Sequence, residues 1–276
     1  MTLDWIDPND YSFNTFLLLE KFQIELMMNH GGWLDDKPKW RHSMGTALNA
    51  NPAVKWYFTR RCPECISIVE ELTANAPQNA SAEQIRDAEI YTLLSVEDFT
   101  IYTTPELMAE KCDFIYGWDK KRLFKLADLA GKTVLDVGAG SGRLAFAAAE
   151  KASWVYASEP VGTLREFMRD KIAKKNIKNI RVLDGLITEL PFPDNTFDIV
   201  MSGHVLGDDW DSEIAEITRV CKSGGWLLNC SGDSKFDIPS NSELTNSEFA
   251  SRRWEEIHYV GSFGKDVHIH RKQIYK

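Results

Sequence analysis

Long hydrophobic runs are missing from this chain of 276 residues. No stretch approaches the roughly 20 consecutive apolar residues that a membrane-spanning helix needs. The start of the chain, Met1 to Asp4, also lacks the basic segment with which secretory signal peptides begin. The sequence therefore predicts a cytoplasmic protein with no membrane partner.

Positive charge is also in short supply, because 32 Lys and Arg residues face 41 Asp and Glu residues, which gives a net charge of −9. Proteins that bind nucleic acids or anionic membranes over a broad surface need a basic face. A hydrophobic content of 43% suffices for a sizeable core. This composition agrees with a soluble enzyme that has no nucleic-acid partner, and the acidic charge makes a small molecule the default substrate.

Cysteine is scarce, and the five cysteines include a single C-x-x-C pair, Cys62 and Cys65. Zinc binding needs two further ligands, for which the sequence offers His30, His42 and Cys112. Thioredoxin-like redox chemistry needs a strand–helix–strand context that this region does not show. The simplest interpretation is a pair of cysteines at a helix start. We predict no metal site, although zinc binding by this pair stays open.

The strongest functional signal is a glycine-rich turn between two patterned segments. The β-branched and apolar run Thr133–Val137 predicts a strand buried on both faces, and the alanine-rich run Leu144–Ala149 predicts a helix. Between them, residues 136–142 read D-x-G-x-G-x-G. Glycine permits positive φ and lets backbone N–H groups approach a ligand at the positive end of a helix. This pattern predicts a nucleotide-binding turn.

The spacing of these glycines differs from the G-x-G-x-x-G of dinucleotide-binding proteins. It resembles the first motif of the class I S-adenosylmethionine-dependent methyltransferases, in which an acid precedes the glycines as Asp136 does here. Later segments resemble the same family in order: a second strand at 154–158, a third at 181–183, a loop and fourth strand at 190–200, and a turn into the fifth at 219–228. The resemblance covers residues 131–230, although Ser223 replaces a usual proline.

This resemblance implies a doubly wound, Rossmann-like α/β fold with a seven-stranded, mostly parallel sheet whose last strand runs antiparallel. We assign residues 116–276 to the S-adenosylmethionine-binding methyltransferase domain and residues 1–115 to a helical N-terminal cap and substrate region. Within the methyltransferase domain, we predict a helix at residues 247–254 and the last two strands at residues 257–260 and 267–274.

The cofactor implied by the resemblance is S-adenosyl-L-methionine, with S-adenosyl-L-homocysteine as product. Glu159, at the end of the second strand, stands where an acid holds the ribose hydroxyls, and Asp184, after the third strand, stands where an acid reaches the adenine amino group. The other predicted cofactor contacts are Tyr116, Asp136, Gly138, Ala139, Gly140, Gly142, Pro160, Gly185, Leu186, Ser202 and Gly203. Each carboxylate taken alone is equally typical of a solvated strand end.

His204 follows the fourth strand and is the candidate catalytic base, because an ordinary histidine titrates near neutral pH. The alternative is a local structural role, and methyl transfer needs a base only when the acceptor must lose a proton. Two other functions stay open. One is a catalytically silent methyltransferase-like binding or assembly module, and the other is an NAD-dependent oxidoreductase, which the glycine spacing disfavours.

The N-terminal region is rich in aromatic residues and helical patterns. Apolar residues from Phe13 to Met27 recur at near-helical spacing and predict one helix that ends at Gly31. Ser81 to Gln84 resembles a capping box that opens a helix through Leu94. Six aromatic residues either line an acceptor pocket or form the core of a helical layer: Tyr11, Trp33, Trp40, Trp56, Tyr57 and Phe58.

Overall fold

The computed structural model describes residues 4–32, 36–233 and 241–276, with residues 241–244 described by their backbone. Trp33, one of the six aromatic candidates, lies outside the described residues. The chain forms two compact units, unit 1 (Met1–Met108) and unit 2 (Ala109–Lys276). The described residues contain no helix that is long and apolar enough to cross a membrane.

Unit 1 is built from helices. Its α-helices are α1 (Lys21–His30), α2 (Lys37–Ala50), α3 (Pro52–Arg61), α4 (Ile66–Asn75), α5 (Ala82–Ser95) and α6 (Glu97–Tyr102), and α7 (Pro105–Lys111) crosses the division. Short 3-10 helices lie at Pro8–Asp10, Phe13–Leu18 and Pro63–Cys65. Trp40 and Phe58 are fully buried in its core, whereas Trp56 is 61% exposed. The core interpretation therefore holds for Trp40 and Phe58.

The prediction of one helix from Phe13 to Met27 is wrong. The chain forms the 3-10 helix Phe13–Leu18, extends at Leu19 and Glu20, and then begins α1. Gln23 causes the break, because its side chain accepts a hydrogen bond from the Glu20 backbone N–H at 3.0 Å in a capping box. The capping box of Ser81 and Gln84 is confirmed, and it opens α5.

Unit 2 contains a seven-stranded sheet in the order β3-β2-β1-β4-β5-β7-β6. The strands are β1 (Thr133–Val137), β2 (Trp154–Ser158), β3 (Ile180–Leu183), β4 (Phe197–Ser202), β5 (Cys221–Asn229), β6 (Glu255–Val260) and β7 (Asp266–Gln273). Strands β1 to β5 pair in parallel, and β7 is antiparallel to both β5 and β6. The predicted Rossmann-like fold is confirmed.

Helices cover this sheet, and their bounds are α8 (Asp113–Tyr116), α9 (Leu123–Leu126), α10 (Arg143–Ala148), α11 (Gly162–Lys174), α12 (Trp210–Val220) and α13 (Asn241–Ser251). The helix predicted at 247–254 begins and ends earlier as α13. It stops because Arg253 adopts a φ of 61° and the Trp254 backbone N–H bonds back to Phe249 at 3.0 Å. Strand β6 then starts at Glu255.

The sheet topology brings the functional segments together. β1 lies between β2 and β4 at the centre of the parallel strands, and its last four residues are buried. Because parallel strands share one carboxyl edge, the turns after β1, β2, β3, β4 and β5 all emerge at the same edge. In open sheets of this kind, ligands bind at that edge.

Close packing of α2 on α4 makes Gly45→Ala a test of the unit 1 core. An added Cβ at Gly45 would lie 2.2 Å from the Leu72 carbonyl oxygen and 2.9 Å from Ala76 Cβ. Alanine ordinarily favours a helix, but here the backbone clash outweighs that preference. We expect urea titration to show a loss of about 1–3 kcal/mol. The exposed control Ser67→Ala should stay within about 0.5 kcal/mol of the wild type, and an unchanged Gly45→Ala variant would contradict this packing.

Candidate functional site

The turn between β1 and α10 depends on glycine at three alternate positions. Gly138, Gly140 and Gly142 have φ angles of 61°, 58° and 87°. An added Cβ at Gly142 would lie 2.5 Å from the Phe146 ring, so a side chain there would meet both strain and a clash. The Ala139 backbone N–H donates to the Ser158 carbonyl at 3.0 Å, which anchors the turn on the end of β2.

Glu159 ties two of these turns together. Its Oε2 accepts a hydrogen bond from the Gly140 backbone N–H at 2.7 Å, and its Oε1 accepts one from the Val161 N–H at 2.8 Å. The residue is only 4% exposed. Burial raises the pKa of Glu159 to about 7, and the two backbone hydrogen bonds oppose that shift. The carboxylate therefore fixes the turns after β1 and β2 against each other.

Asp136 lies at the base of the glycine turn and is 1% exposed. Burial raises the pKa of Asp136 to about 7, while the Arg143 guanidinium and the Ala145 backbone N–H, which bonds to the carboxylate, lower it. Its Oδ2 atom is buried and has no hydrogen-bond partner among the described residues. A buried acceptor without a partner is costly, which suits a position that meets a donor on a ligand.

The end of β3 contributes a more open part of the site. Asp184 has a 71% exposed side chain and pairs with Arg165, Oδ1 to Nη1, at 3.2 Å. Arg165 also donates to the Glu159 backbone carbonyl at 2.7 Å, so one guanidinium links the ends of β2 and β3. A Cβ at Gly185 would lie 2.5 Å from Ser158 Oγ, and Leu186 is 39% exposed.

His204 has a local partner that limits its chemistry. Its Nε2 accepts a hydrogen bond from the Gly232 backbone N–H at 2.8 Å, its ring packs 4.8 Å from the Phe114 ring, and its φ is 62°. Burial and the nearby Arg143 guanidinium lower the pKa of His204 to about 4. The ring is thus neutral at pH 7, with its proton on Nδ1 and its lone pair on Nε2 already engaged. This geometry favours the structural role over that of a base.

The remaining predicted contacts lie around the same strand ends. Ser202 ends β4, is 3% exposed and has its Oγ 3.4 Å from Asn229 Oδ1. Gly203 follows it, and Pro160 follows Glu159. Tyr116 in α8 is 49% exposed and packs edge-on against Phe263 with a ring separation of 5.8 Å.

Two charged residues that sequence analysis missed also lie at these strand ends. Arg143 begins α10, and its Nη2 donates to the Cys230 carbonyl at 2.8 Å. Asp233 pairs with Arg122 and accepts hydrogen bonds from Tyr259 Oη and the Ser262 backbone N–H. The sequence signal for Arg143 was its position directly after the third glycine of the turn. Asp233 carried none, because its partners come from distant parts of the chain.

The paired cysteines belong to unit 1. Cys62 and Cys65 are buried, and their sulfur atoms lie 2.8 Å apart. Burial and the neighbouring Cys62 raise the pKa of the Cys65 thiol to about 12, which disfavours a reactive thiolate. Within 4–32, 36–233 and 241–276, no group of three or more His, Cys, Asp or Glu side chains suits a metal ion. The structure therefore adds no support to the zinc alternative.

A cavity of about 390 Å³ opens elsewhere in unit 2, between the segment 124–129, Trp226 and Arg271. Its walls contain none of the predicted site residues. The candidate site is therefore defined by the turns at the carboxyl edge of the sheet, and this cavity is separate from it.

The chain resembles known methyltransferases in the region that forms this site. Residues 135–229 match a family model described as a methyltransferase domain. A demethylmenaquinone methyltransferase from Listeria monocytogenes is 30% identical over 137 residues, which cover 48% of this chain and 57% of that protein. An uncharacterized methyltransferase from Geobacillus thermodenitrificans is 29% identical over 120 residues, which cover 42% of this chain and 54% of that protein. The chain thus spans little more than half the length of these relatives.

Solved structures resemble the fold more widely. A SAM-dependent methyltransferase from Aquifex aeolicus aligns with a TM-score of 0.50 at 20% identity, over 60% of this chain and 96% of that one. At this level of identity, the similarity shows the shared fold alone. It agrees with the seven-stranded sheet of unit 2.

The buried Asp136 carboxyl predicts a specific pH dependence of stability. Its pKa of about 7 in the folded chain lies above the ordinary 3.8, so the folded state binds the proton more tightly. This contribution to stability is complete below about pH 4 and is lost as pH rises through 7. Asp136→Asn cannot ionise and escapes that loss. We expect its free energy of unfolding, relative to wild type, to rise between about pH 4 and 7 by up to about 1.4 kcal/mol per pH unit and to level off above pH 8.

Urea titrations of both proteins at several pH values measure this difference. The control Asp184→Asn removes an exposed carboxylate from the same site and should stay within about 0.5 kcal/mol of wild type throughout. A difference between Asp136→Asn and wild type that does not change with pH would show that the folded and unfolded carboxyls titrate alike.

Proposed function

Because unit 2 carries a class I S-adenosylmethionine-dependent methyltransferase domain, we propose that the protein transfers a methyl group from S-adenosyl-L-methionine to a small-molecule acceptor. One observation carries the proposal: a three-glycine turn and a buried acid, Glu159, are hydrogen-bonded together at adjacent strand ends. The name of the Listeria relatives, which refers to demethylmenaquinone, supports an acceptor of small size.

The residues at the carboxyl edge suit such a cofactor. Each Glu159 oxygen accepts one backbone N–H and keeps a second lone pair, which is free to accept a ribose hydroxyl. Asp136 Oδ2, buried without a partner among the described residues, suits the ammonium group of the methionine portion. Asp184, with Gly185 and Leu186 beside it, would meet the adenine.

The other contacts follow from the order of the strands. With the ribose at the end of β2, the turn residues Gly138 to Gly142 would face the middle of the cofactor. Ser202 and Gly203, at the end of β4, would meet the end that carries the methyl group. Tyr116 would cover the methionine portion, and Pro160 would pack beside the ribose.

When bound, S-adenosyl-L-methionine supplies a methyl group that its sulfonium already activates. The chain then has to bind and orient the cofactor and the acceptor and to exclude water. Alignment of the reacting atoms accounts for much of the rate increase. His204 is poorly suited to remove a proton, because its Nε2 lone pair is engaged by Gly232. We therefore propose that His204 shapes the site by holding the turn after β5, and that the acceptor needs no base from this residue.

We further assign the choice of acceptor to residues 1–115 and the protein to the cytoplasm. The N-terminal assignment is supported by Trp56, a large aromatic side chain that is 61% exposed in unit 1. Its ring offers apolar surface that an aromatic acceptor could contact.

Calorimetric titration with three ligands tests the proposed cofactor directly. We expect S-adenosylmethionine and S-adenosylhomocysteine to bind with micromolar or tighter affinity, and NADH to show no saturable binding, because the glycine spacing departs from the dinucleotide pattern. Binding of NADH alone would identify an oxidoreductase instead. Binding of none of the three would reject both enzyme assignments.

Glu159→Gln tests the ribose contact. Glutamine retains the shape but loses the charge, so we expect the dissociation constant of S-adenosylhomocysteine to rise by about 10- to 150-fold, equivalent to about 1.5–3 kcal/mol. The matched control Glu166→Gln removes an exposed carboxylate from α11 and should leave the affinity unchanged. Equal affinities for the Glu159→Gln variant and wild type, with both proteins folded by circular dichroism, would remove Glu159 from the site.

A further inference from the structure

Arg143 puts a cation at the carboxyl edge of the sheet. It is the first residue of α10, directly after the last glycine of the turn. Its guanidinium lies 4.6 Å from the centre of the Trp118 ring, and its Nη2 donates to the Cys230 carbonyl at 2.8 Å. These two contacts fix both the plane and the direction of the side chain.

The neighbours of Arg143 show which strand ends it lies beside. Gly203 and Cys230 directly follow β4 and β5, and a Cβ at Gly203 would lie 2.6 Å from Arg143 Nη2. The guanidinium therefore lies at the ends of β4 and β5. Glu159 lies at the end of β2, on the other side of β1. A ligand held at the end of β2 would therefore lie across β1 from Arg143.

One nitrogen of this guanidinium lacks a partner. Arg143 Nη1 is buried and makes no hydrogen bond to any described residue. Arg143 lowers the pKa of the nearby Asp136 carboxyl, but Nη1 makes no hydrogen bond to it, and the Asp233 carboxylate is held by Arg122, Tyr259 and Ser262. Arginine does not deprotonate in proteins, so this buried N–H is costly until an anion accepts its hydrogen bond.

We propose that Arg143 is the anion-binding residue for the methyl acceptor, which enters the site as the conjugate base of a planar organic acid. The inference rests on the proposed methyltransferase function and names its substrate class. An oxygen of the acceptor accepts the free Nη1 N–H in a charge-assisted hydrogen bond. Trp118, against the guanidinium, and Phe114, against His204, supply aromatic surface for the body of the acid.

This assignment also explains how transfer proceeds without a base. An oxygen of the anionic acceptor forms a bond to the methyl carbon, and the electron pair of the breaking carbon–sulfur bond stays on sulfur. A cation and an anion thus become a neutral thioether and a neutral ester or ether, and no proton has to leave. The engaged Nε2 of His204 agrees with a reaction of this kind.

The test compares a charged probe with its uncharged twin. 2-Naphthoate and 2-naphthamide have the same ring and differ in charge, and each is titrated by calorimetry into protein saturated with S-adenosylhomocysteine. We expect wild type to prefer the carboxylate by at least about tenfold. Arg143→Met should abolish that preference, Arg143→Lys should retain part of it, and the exposed control Arg169→Met should retain all of it.

Affinity for the cofactor product separates this inference from the alternatives. S-adenosylhomocysteine should bind Arg143→Met within about threefold of wild type, which also shows that the variant folds. If that affinity falls while the affinity for 5′-methylthioadenosine, which lacks the amino-acid portion, is unchanged, Arg143 binds the cofactor carboxylate and the inference is overturned. No preference for naphthoate in wild type overturns it as well. Failure of wild type to bind S-adenosylhomocysteine overturns the proposed function and this inference together.

Discussion

The buried carboxylate of Glu159 is the interaction on which the site depends. It accepts backbone N–H groups from Gly140 after β1 and from Val161 after β2, so the two central turns are held at a fixed separation. An acid can occupy this position only because the glycines allow the backbone to turn with its N–H groups towards it. Its burial raises the pKa of the carboxyl, and the two hydrogen bonds offset part of that cost.

Charge divides the carboxyl edge into two regions. At β1 and β2, the buried acids Asp136 and Glu159 suit a ligand with hydroxyl and ammonium donors. At β4 and β5, the guanidinium of Arg143 suits an anion. A cationic methyl donor and an anionic acceptor would each find the opposite charge, and the same attraction would bring their reacting atoms together. The neutral His204 lies beside this second region and holds the turn after β5.

Much of the fold follows from local patterns, whereas the contacts of the site depend on the tertiary structure. The glycine turn and the buried strand β1 are visible in sequence because backbone conformation and burial dictate their residues. The break before α1 was missed because the capping box of Glu20 and Gln23 overrides the apolar period. The engaged state of His204 follows from Gly232, 28 positions later along the chain, and no local pattern announces it. Arg143 acquires its role only where β4 and β5 end together.

A crystal structure of the full chain with S-adenosylhomocysteine tests the central claim most directly. The account predicts the ribose hydroxyls within hydrogen-bond distance of the Glu159 carboxylate, with the glycine turn against the ligand and the Glu159 bonds to Gly140 and Val161 preserved. A ligand bound elsewhere, or at this edge without contact to Glu159, would contradict it.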